Sequence, residues 1–501
     1  MVDFSKSHSD KSEKVSKLAL FDIGDNSSGL DIKAVNYHRD MPLSSLQGLN
    51  PEQSKMVTDI AEYLKGRSTK PFFLVQGGGG TGKSYSINRA LYGIDPKFII
   101  AAAPSHFAKN VLQEFLGEKY KVTTIAALLG KKVTYNDNGD QILVRINKMA
   151  APPIQSYQII LIDEGSMVND DTAEEIMQYV KDGNKALIIL GDYCQLPPVN
   201  QETDSIFFDA ISAELTIPMR FQGPLFYLTE LVRREIIKIR KGLVPSLNVL
   251  NMETNRVSQL DELGSGYIFL NNMPQLLKAA IKRFQKGKGT DYVRLLAYRN
   301  KTIEKLNVHI RIGLYGEKPS QFEIGELLIN NGGFSIKKPS GKEQPLITNG
   351  ELFKVESVRE VVGPYDIPCV VLTFEDRPLE GDIIAVATIG EEKYNNTVKR
   401  LTGLAKEHSH LWRDVFAFKE SFAYFNYSYA ASIHKAQGSS IKHVFIIEDD
   451  ILEVKLTTTK EKLQSIYVGI SRASYRAYIY NKVFKVDNSE FNKDYLKLDA
   501  P

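Results

Sequence analysis

The chain has 501 residues, of which 43% are hydrophobic and 25% charged, and a formal net charge of +3. The composition is that of a globular protein, the length predicts two or more domains, and the near-balanced charge neither requires nor excludes a nucleic-acid partner. Only two cysteines occur, Cys194 and Cys369, which argues against a disulfide framework or a zinc cluster. No membrane-spanning run or signal-peptide core is visible, so we expect a cytoplasmic protein, in the host cytoplasm if a virus encodes it.

The chain begins with a polar segment, residues 1–45, rich in Ser, Asp and Lys. This composition predicts a mostly disordered or loosely attached extension, although the apolar residues 18–23 could form a docking segment. The first ordered element is predicted to be a helix, because Asn50 suits an N-cap and Pro51 the first helical position.

The next feature is the sequence GGGGTGKS, between a strand-like run at residues 72–75 and a helical segment beginning at Tyr85. This context predicts a phosphate-binding loop. Its glycines allow backbone N–H groups to converge on an anion, while Lys83 would reach the β- and γ-phosphates and the Ser84 hydroxyl would ligate Mg²⁺. The predicted nucleotide-binding residues are Gly77, Gly78, Gly79, Gly80, Thr81, Gly82, Lys83 and Ser84.

Strand-like runs at 98–102, 158–162 and 186–190 then alternate with helical segments, which is typical of a parallel sheet covered by helices. Downstream of a phosphate-binding loop, Asp163 is predicted to complete the Mg²⁺ shell, and Glu164 to orient or deprotonate the attacking water. In LGDYCQLPPV, the uncharged Gln195 could touch the γ-phosphate or that water.

Two insertions break the alternation. Two strand-like runs around the turn residues 136–140 predict a β-hairpin, and short β segments between 314 and 424 predict a small barrel inserted in a second α/β domain. The predicted fold is α/β, with two parallel-sheet domains in tandem. The predicted divisions are an extension at 1–45, a first domain at 46–205 with the hairpin at 131–150, a second domain at 206–313 and 425–485, its insertion at 314–424, and a tail at 486–501.

Other motifs offer groups for phosphate and nucleic acid. Arg233 in LTELVRR and Arg472 in YVGISR are candidates for stabilising charge in phosphoryl transfer. SIHKAQGSS combines hydroxyl, imidazole, ammonium and amide groups around a glycine turn, which suits phosphate and sugar contacts. APSHFAK adds Phe107, which could stack on a base. In isolation, each of these would more often be an ion pair or a polar loop.

The ordered set GGGGTGKS, APSHFAK, LIDEGSM, LGDYCQLPPV, LTELVRR, LLAYRNKTIEKLN, SIHKAQGSS and YVGISRA resembles the motifs of superfamily 1 DNA helicases. It is most similar to the RecD/Pif-like branch, superfamily 1B, and within it to phage Dda-type helicases, over roughly residues 46–480. The resemblance implies two RecA-like domains with ATP and Mg²⁺ between them, single-stranded DNA across both, and 5′→3′ polarity. It also implies that the hairpin is a strand-separating pin and that the barrel is an SH3-like accessory domain.

The resemblance assigns roles to individual positions. Gln53 matches the residue that recognises adenine, and Gly438 is assigned to the nucleotide site. The catalytic positions are Lys83, Glu164, Gln195, Arg233 and Arg472, with both arginines as fingers from the second domain, and Ser84 and Asp163 hold the metal. The nucleic-acid positions are Ser105, His106, Phe107, Lys109, Thr124, Asn300, Ser432, His434 and Lys435.

The sequence departs from the family pattern in three places. Ala126 replaces the histidine of a Thr-Ile-His motif, Ser432 replaces the commoner threonine, and the hairpin has no Phe near its tip. Tyr135, Ile142 or Leu143 would therefore have to act as the wedge, which lowers the expected strength of unwinding but not of translocation.

These features predict an ATP-dependent DNA helicase of replication, recombination or repair. We expect it to act as a monomer on single-stranded and forked DNA and to have no membrane partner. The extension could bind a replication or single-strand-binding protein. Three alternatives remain: a translocase that displaces proteins with little unwinding, an ATP-switched recruitment module, and an RNA helicase.

Overall fold

The computed structural model describes residues 46–487 except 67–69, 136–140, 147–149, 199–200, 202, 218, 220–222, 246–255, 287–288, 331–333, 338–342, 348–350, 376–382, 456 and 484–485. The predicted extension, the hairpin turn and nearly all of the predicted tail lie outside the described residues. The chain forms two compact units. The first draws on Met1–Ser246 and Thr458–Ser471, and the second on Leu247–Thr457 and Arg472–Pro501.

The first unit is built on a parallel sheet. Its strands and those of the hairpin are β1 (Phe73–Gly77), β2 (Ile99–Ala103), β3 (Lys121–Thr124), β4 (Lys131–Tyr135), β5 (Gln141–Arg145), β6 (Ile159–Ile162), β7 (Ala186–Gly191) and β8 (Ile211–Leu215). Six of them form one sheet in the order β3-β2-β6-β7-β1-β8, and every pair is parallel. The four central strands are buried along their whole length, as expected where helices cover both faces.

Helices flank this sheet. They are α1 (Pro51–Leu64), α2 (Lys83–Ala90), α3 (His106–Leu116), α4 (Ile125–Leu128), α5 (Asp170–Asp182) and α6 (Pro224–Arg240). α1 begins with a capping box, in which the Asn50 side chain accepts from Gln53 N and the Gln53 side chain accepts from Asn50 N. Its apolar face packs Met56 and Ile60 into a core shared with Ile87 of α2.

The predicted hairpin strands are present as an antiparallel pair, from Lys131 opposite Arg145 to Tyr135 opposite Gln141. Their base is tied to α5. Lys131 pairs with Glu175, and the Arg145 guanidinium donates to the Tyr179 hydroxyl at 3.0 Å. The hairpin is therefore anchored to the body of the first unit.

The predicted boundary after residue 205 is too early. Strand β8 pairs with β1, and α6 belongs to the same unit, so the first unit continues well past Ile206. This strand was hard to predict because β8 is a half-exposed edge strand without a continuous apolar run.

The second unit contains another parallel sheet. Its strands are β9 (Arg256–Val257), β10 (Gln259–Leu260), β11 (Gly266–Leu270), β12 (Val293–Ala297), β13 (Leu327–Asn330), β14 (Phe334–Lys337), β15 (Glu343–Ile347), β16 (Leu352–Val362), β17 (Pro368–Phe374), β18 (Ile383–Val386), β19 (Phe425–Tyr427), β20 (Ala430–Ser432), β21 (Ile441–Ile447), β22 (Ala473–Tyr480) and β23 (Val486–Asp487). Six of them have the order β10-β11-β22-β21-β12-β20, parallel apart from β10. Two parallel-sheet domains in tandem are thus confirmed.

The remaining helices are α7 (Met273–Phe284), α8 (Asn300–Tyr315), α9 (Glu391–Glu407), α10 (Trp412–Lys419), α11 (Ile433–Ala436), α12 (Glu448–Leu452) and α13 (Thr459–Ser471). All but α13 lie in the second unit; α13 is part of the first. In the described part of the chain, no helix is both long and apolar enough to cross a membrane.

The insertion in the second unit is an antiparallel sheet in the order β18-β17-β16-β13-β19, with a separate hairpin of β14 and β15. Just before β19, Ala423 N donates to Ile384 O of β18 at 2.7 Å, so the chain entering one edge strand meets the other. Helices α9 and α10, which the sequence interpretation did not include, pack Tyr394 and Phe418 together. The SH3-like barrel stays a prediction.

Candidate functional site

The phosphate-binding loop joins the carboxyl end of β1 to α2 and wraps around its own lysine. Lys83 Nζ donates to the carbonyl oxygens of Gly77 at 2.6 Å and Gly78 at 3.2 Å. Gly82 has a φ of 81°, and a Cβ at Gly77 would lie 2.7 Å from Thr81 Oγ1, so both positions require glycine. The loop is a close backbone cradle with one ammonium group inside it, which suits a polyphosphate.

Two carboxylates follow β6, as predicted. Asp163 N donates to Ala102 O of the neighbouring strand, and Asp163 Oδ1 accepts from Glu164 N, both at 2.9 Å. Burial raises the pKa of Asp163, and the Lys83 charge opposes that rise, which places the two groups in one electrostatic environment. Carboxylate and hydroxyl oxygens are the hard ligands that Mg²⁺ prefers, so Asp163 and Ser84 fit a metal held together with nucleotide phosphates.

Glu164 occupies the left-handed backbone region with φ 52° and ψ 46°, where a residue other than glycine is uncommon. Such strained positions concentrate at functional sites. The bend places Glu164 directly at the exit of a buried strand, consistent with a role beside the nucleotide.

The loop after β7 carries Gln195, whose side chain is buried and whose Oε1 has no hydrogen-bond partner in the described structure. The loop is fixed from β1 by Gln76. This buried amide donates to Asp192 Oδ1 and accepts from Tyr193 N, both at 3.1 Å. A buried acceptor left open at this edge fits a ligand or a water there.

Arg233 lies on α6 of the first unit, so the assignment of this residue to the second domain was wrong. Its side chain is buried, and its Nε and Nη2 have no hydrogen-bond partner among the described residues. The nearest carboxylates, Glu230 and Glu214, are 3.8 Å and 3.9 Å away. A Cβ at Gly78 would lie 3.4 Å from Arg233 Nε, so the guanidinium faces the phosphate-binding loop with open donors.

Helix α13 holds the Gln195 loop from the other side. Gln464 Nε2 donates to Tyr193 O at 3.1 Å and Gln195 O at 2.7 Å, and the Tyr467 hydroxyl donates to Asp192 Oδ2 at 2.6 Å. Sequence reasoning missed Gln76, Gln464 and Tyr467. The only sequence signal was that Tyr467 opens the motif from which Arg472 was chosen.

Gln53 braces the phosphate-binding loop. Its side chain is fully buried, Nε2 donates to Thr81 O at 3.0 Å, and Oε1 accepts from Asn50 N at 3.1 Å. A Cβ at Gly82 would lie 2.4 Å from Gln53 Nε2. These contacts give Gln53 a structural function, and its recognition of adenine stays a prediction.

The nucleic-acid candidates of the first unit follow β2 and β3, where Ala103 pairs with Thr124. Ser105 Oγ accepts from Ala108 N at 3.1 Å and Thr124 Oγ1 from Ala127 N at 3.2 Å, so each hydroxyl caps the helix that follows. On the first turn of α3, His106 and Phe107 are exposed and Lys109 is half-buried. The carboxyl edge that carries the nucleotide loop therefore also carries these residues.

The second unit repeats this arrangement within itself. Ser432 ends β20 opposite Ala297 of β12, and its Oγ accepts from Lys435 N at 3.2 Å. The exposed Asn300 is the first residue of α8, which follows β12. The ring centroids of His434 and Tyr298 are 5.7 Å apart. A capping hydroxyl again stands at the end of an edge strand.

Comparison with known proteins identifies the family. An AAA domain matches residues 48–226, and a UvrD-like helicase C-terminal domain matches residues 427–480. The ATP-dependent DNA helicase dda of Enterobacteria phage T4 is 24% identical over 439 residues, which cover 82% of this chain and 94% of the phage protein. These matches support a superfamily 1B helicase of the Pif1/Dda-like group.

This superfamily 1B helicase has other relatives. An uncharacterized protein of Acanthamoeba polyphaga mimivirus is 22% identical over 512 residues, covering 85% of this chain and 98% of the viral protein. Among solved structures, Pif1 helicase from Bacteroides in complex with ADP-AlF3 and ssDNA has a TM-score of 0.44 and 16% identity, covering 88% of this chain and 95% of that chain. The similarity to the phage and mimivirus proteins extends over nearly their whole length.

Within the helicase, the first unit by itself brings together most of the predicted nucleotide residues, from the phosphate-binding loop to Gln195 and Arg233. The second unit holds the remaining predicted site residues, which are Asn300, Ser432, His434, Lys435, Gly438 and Arg472. In that unit the buried Arg472 guanidinium donates to Ser439 O at 3.1 Å. Its predicted role at the nucleotide stays a prediction.

Proposed function

We propose that this helicase uses ATP hydrolysis to move 5′→3′ along single-stranded DNA and to unwind duplex DNA ahead of it, in replication, recombination or repair. One observation carries the proposal. A single edge of the first sheet presents the nucleotide residues after β1, β6 and β7 and the nucleic-acid candidates after β2 and β3. The hydrogen bond from Asp163 N to Ala102 O links the strand that carries the nucleotide residues to the strand that precedes Ser105. A structural change caused by nucleotide hydrolysis therefore has only one strand pair to cross before it reaches Ser105.

At the nucleotide, each residue has a role that follows from its surroundings. Lys83 binds the β- and γ-phosphates, and the open donors of Arg233 meet charge that develops on the γ-phosphate. Glu164 orients the attacking water, and Gln195 Oε1 accepts a hydrogen bond from it. Ser84 and Asp163 would hold Mg²⁺, which when bound would neutralise part of the phosphate charge. Arg472 of the second unit is proposed as a second cation for the same charge.

On single-stranded DNA, the hydroxyls of Ser105 and Thr124 accept from backbone N–H groups and retain their own O–H donors for phosphate oxygens. Phe107 is exposed and supplies a face for base stacking. Stacking of this kind contributes about 1–3 kcal/mol per base, comparable to about 1.4 kcal/mol for a duplex stacking step. The free energy of holding a base is therefore similar to the free energy of opening one base-pair step, which is compatible with an ATP-driven motor.

The first test is steady-state ATP hydrolysis with and without single-stranded DNA, for the wild-type chain and Lys83→Ala. We expect strong stimulation by DNA and its loss in the variant, because the Lys83 ammonium group is hydrogen-bonded inside the phosphate-binding loop. Lys55→Ala, on an exposed face of α1, is the matched control and should behave as wild type.

Each alternative predicts a different outcome. Hydrolysis indifferent to DNA would favour the recruitment module, and equal stimulation by single-stranded RNA would favour an RNA helicase. Partial duplexes with a 5′ or a 3′ overhang then determine polarity, and unwinding only from a 3′ overhang would contradict the proposed direction.

A second candidate function is a translocase that displaces proteins with little unwinding. The observation that favours it is the absence of Phe from the hairpin tip. Shortening the hairpin distinguishes the two functions, because only strand separation requires it.

A further inference from the structure

Arg233 and Asp192 are both buried in the first unit, and no ion pair joins them in the described structure. This arrangement is unusual because an opposite charge nearby ordinarily captures a buried guanidinium. The reason lies in how the oxygens of Asp192 are occupied.

Three neutral donors hold the Asp192 carboxylate. Oδ1 accepts from Gln76 Nε2 at 3.1 Å and from Cys194 N at 3.0 Å, and Oδ2 accepts from the Tyr467 hydroxyl at 2.6 Å. None of these donors carries a charge, so none of them neutralises the carboxylate, and together they occupy three of its roughly four acceptor positions.

The Tyr467 hydroxyl also lies beside Arg233. A Cβ at Gly78 would be 3.3 Å from Tyr467 Oη and 3.4 Å from Arg233 Nε, so the hydroxyl and the guanidinium flank the same point of the phosphate-binding loop. The same hydroxyl therefore lies beside Arg233 while it donates to Asp192 Oδ2. Meanwhile Nε and Nη2 of Arg233 remain without hydrogen-bond partners.

We propose that Tyr467 is a positioning residue for Arg233: by occupying Asp192 Oδ2 it prevents Arg233 from closing onto this carboxylate and leaves the guanidinium directed at the γ-phosphate. The Asp192 charge still stabilises the buried cation. Burial lowers the pKa of Arg233, but negative groups led by Asp192 raise it above its ordinary value, so the guanidinium stays charged.

The proposal gives α13 a function in the nucleotide site. The same helix fixes the Gln195 loop through Gln464, and its last residue, Ser471, is covalently followed by Arg472 of the second unit. Two groups of the proposed hydrolysis reaction, Arg233 and Gln195, are thus set by one helix. The inference rests on the proposed function, because it assigns Arg233 to the γ-phosphate.

The test is the preference for a non-hydrolysable ATP analogue over ADP, measured by equilibrium binding without DNA. Tyr467→Phe removes only the hydroxyl and frees Asp192 Oδ2 to capture Arg233. We expect this preference to fall about tenfold, since a charge-assisted contact with the γ-phosphate is lost. DNA-stimulated ATP hydrolysis should fall with it, by about 10²-fold, as for loss of one donor to a transition state.

A double-mutant cycle shows whether Tyr467 acts through Arg233. In an Arg233→Ala background, Tyr467→Phe should change the ATP-over-ADP preference by less than about twofold, because the group it positions is gone. Adding Asp192→Asn to Tyr467→Phe removes the competing charge and should restore part of the preference. Tyr63→Phe is the matched control, since it also removes a buried tyrosine hydroxyl, here one that accepts from Leu187 N, and should leave the preference unchanged.

Two results would overturn the inference: an unchanged preference in folded Tyr467→Phe, or an equal loss in the Arg233→Ala background. Both are distinct from failure of the proposed function, which would appear as wild-type hydrolysis that ignores DNA. Thermal unfolding of each variant shows whether it is folded, and if Tyr467→Phe alone does not fold, the Tyr467→Phe/Asp192→Asn pair provides the comparison.

Discussion

Glu448 carries a carboxyl group that is almost fully buried at the end of β21 in the second unit. It accepts a long hydrogen bond from Asn481 Nδ2 at 3.4 Å. Burial raises the pKa of Glu448 from 4.5 to about 7, despite the opposing effect of the Arg256 charge. Between these two pH values the folded chain therefore holds a proton that the unfolded chain has lost.

The sign of the resulting pH dependence follows directly. The stabilisation from this proton is complete below about pH 4.5 and is lost as the pH rises through 7, because the buried group must then ionise. We expect Glu448→Gln to gain stability relative to wild type, on the order of 2 kcal/mol, between pH 5 and pH 8. Urea unfolding at the two pH values measures this gain. Glu262→Gln, an exposed carboxylate in the same unit, should show no such change, and parallel profiles for Glu448→Gln and wild type would contradict the prediction.

Residues supplied by one continuous motif were predictable from sequence. A strand, a glycine-rich turn and a helix fix Lys83 and Ser84 locally, and the end of a buried strand fixes Asp163. Gln76 and Tyr467 were not predictable, because both act on Asp192 across 116 and 275 residues of sequence. Only the folded chain brings such positions together. In the sequence, a neutral side chain within a buried segment cannot be distinguished from a residue that only packs in the core.

At the level of elements, the first helix turn after β2 combines two functions in one residue. Ser105 caps α3, and the same hydroxyl is a proposed DNA contact. A loss of binding in Ser105→Ala would therefore be ambiguous, since removing a cap costs about 1 kcal/mol of stability by itself.

Ser105→Asp separates the two functions. Aspartate caps a helix as well as serine does, but its charge repels a phosphate. We expect thermal stability within a few degrees of wild type and a drop of roughly tenfold in affinity for single-stranded DNA. Ser105→Asn, a neutral residue that also caps, is the control and should bind more tightly than Ser105→Asp. Equal affinities for the two variants would remove Ser105 from the DNA path.

An element could be predicted from sequence when its apolar residues followed a clear pattern. The buried runs of β1, β2, β6 and β7 and the helical segments between them were sufficient to predict the first parallel sheet. Strand β8 was missed because its half-exposed residues carry no clear period. Helices α9 and α10 lie in a region interpreted as β structure, where neighbouring strands and turns dominated the sequence signal.

For the whole molecule, the question is whether movement on DNA and strand separation belong to different parts of the chain. The nucleotide residues and the nucleic-acid candidates lie on the sheet edges, whereas the hairpin leaves the first unit on two paired strands anchored at their base by Lys131 and Arg145. A motor of this design would keep hydrolysing ATP and moving without the outer part of its hairpin.

Replacing residues 134–142 by Asn-Gly tests this separation. Val133 and Leu143 are paired, so a two-residue turn closes the shortened hairpin without disturbing its anchored base. We expect DNA-stimulated ATP hydrolysis to stay within about twofold of wild type, and unwinding to slow by about tenfold or more, since help at one base-pair step is worth about 1.4 kcal/mol. Displacement of streptavidin from biotinylated single strands should persist, because it requires movement alone. A same-length replacement of residues 136–140 by Gly and Ser controls for the altered turn. If the shortened variant unwinds as fast as wild type, the hairpin is not the strand separator; if wild type itself displaces streptavidin but hardly unwinds, the translocase is the better description of this chain.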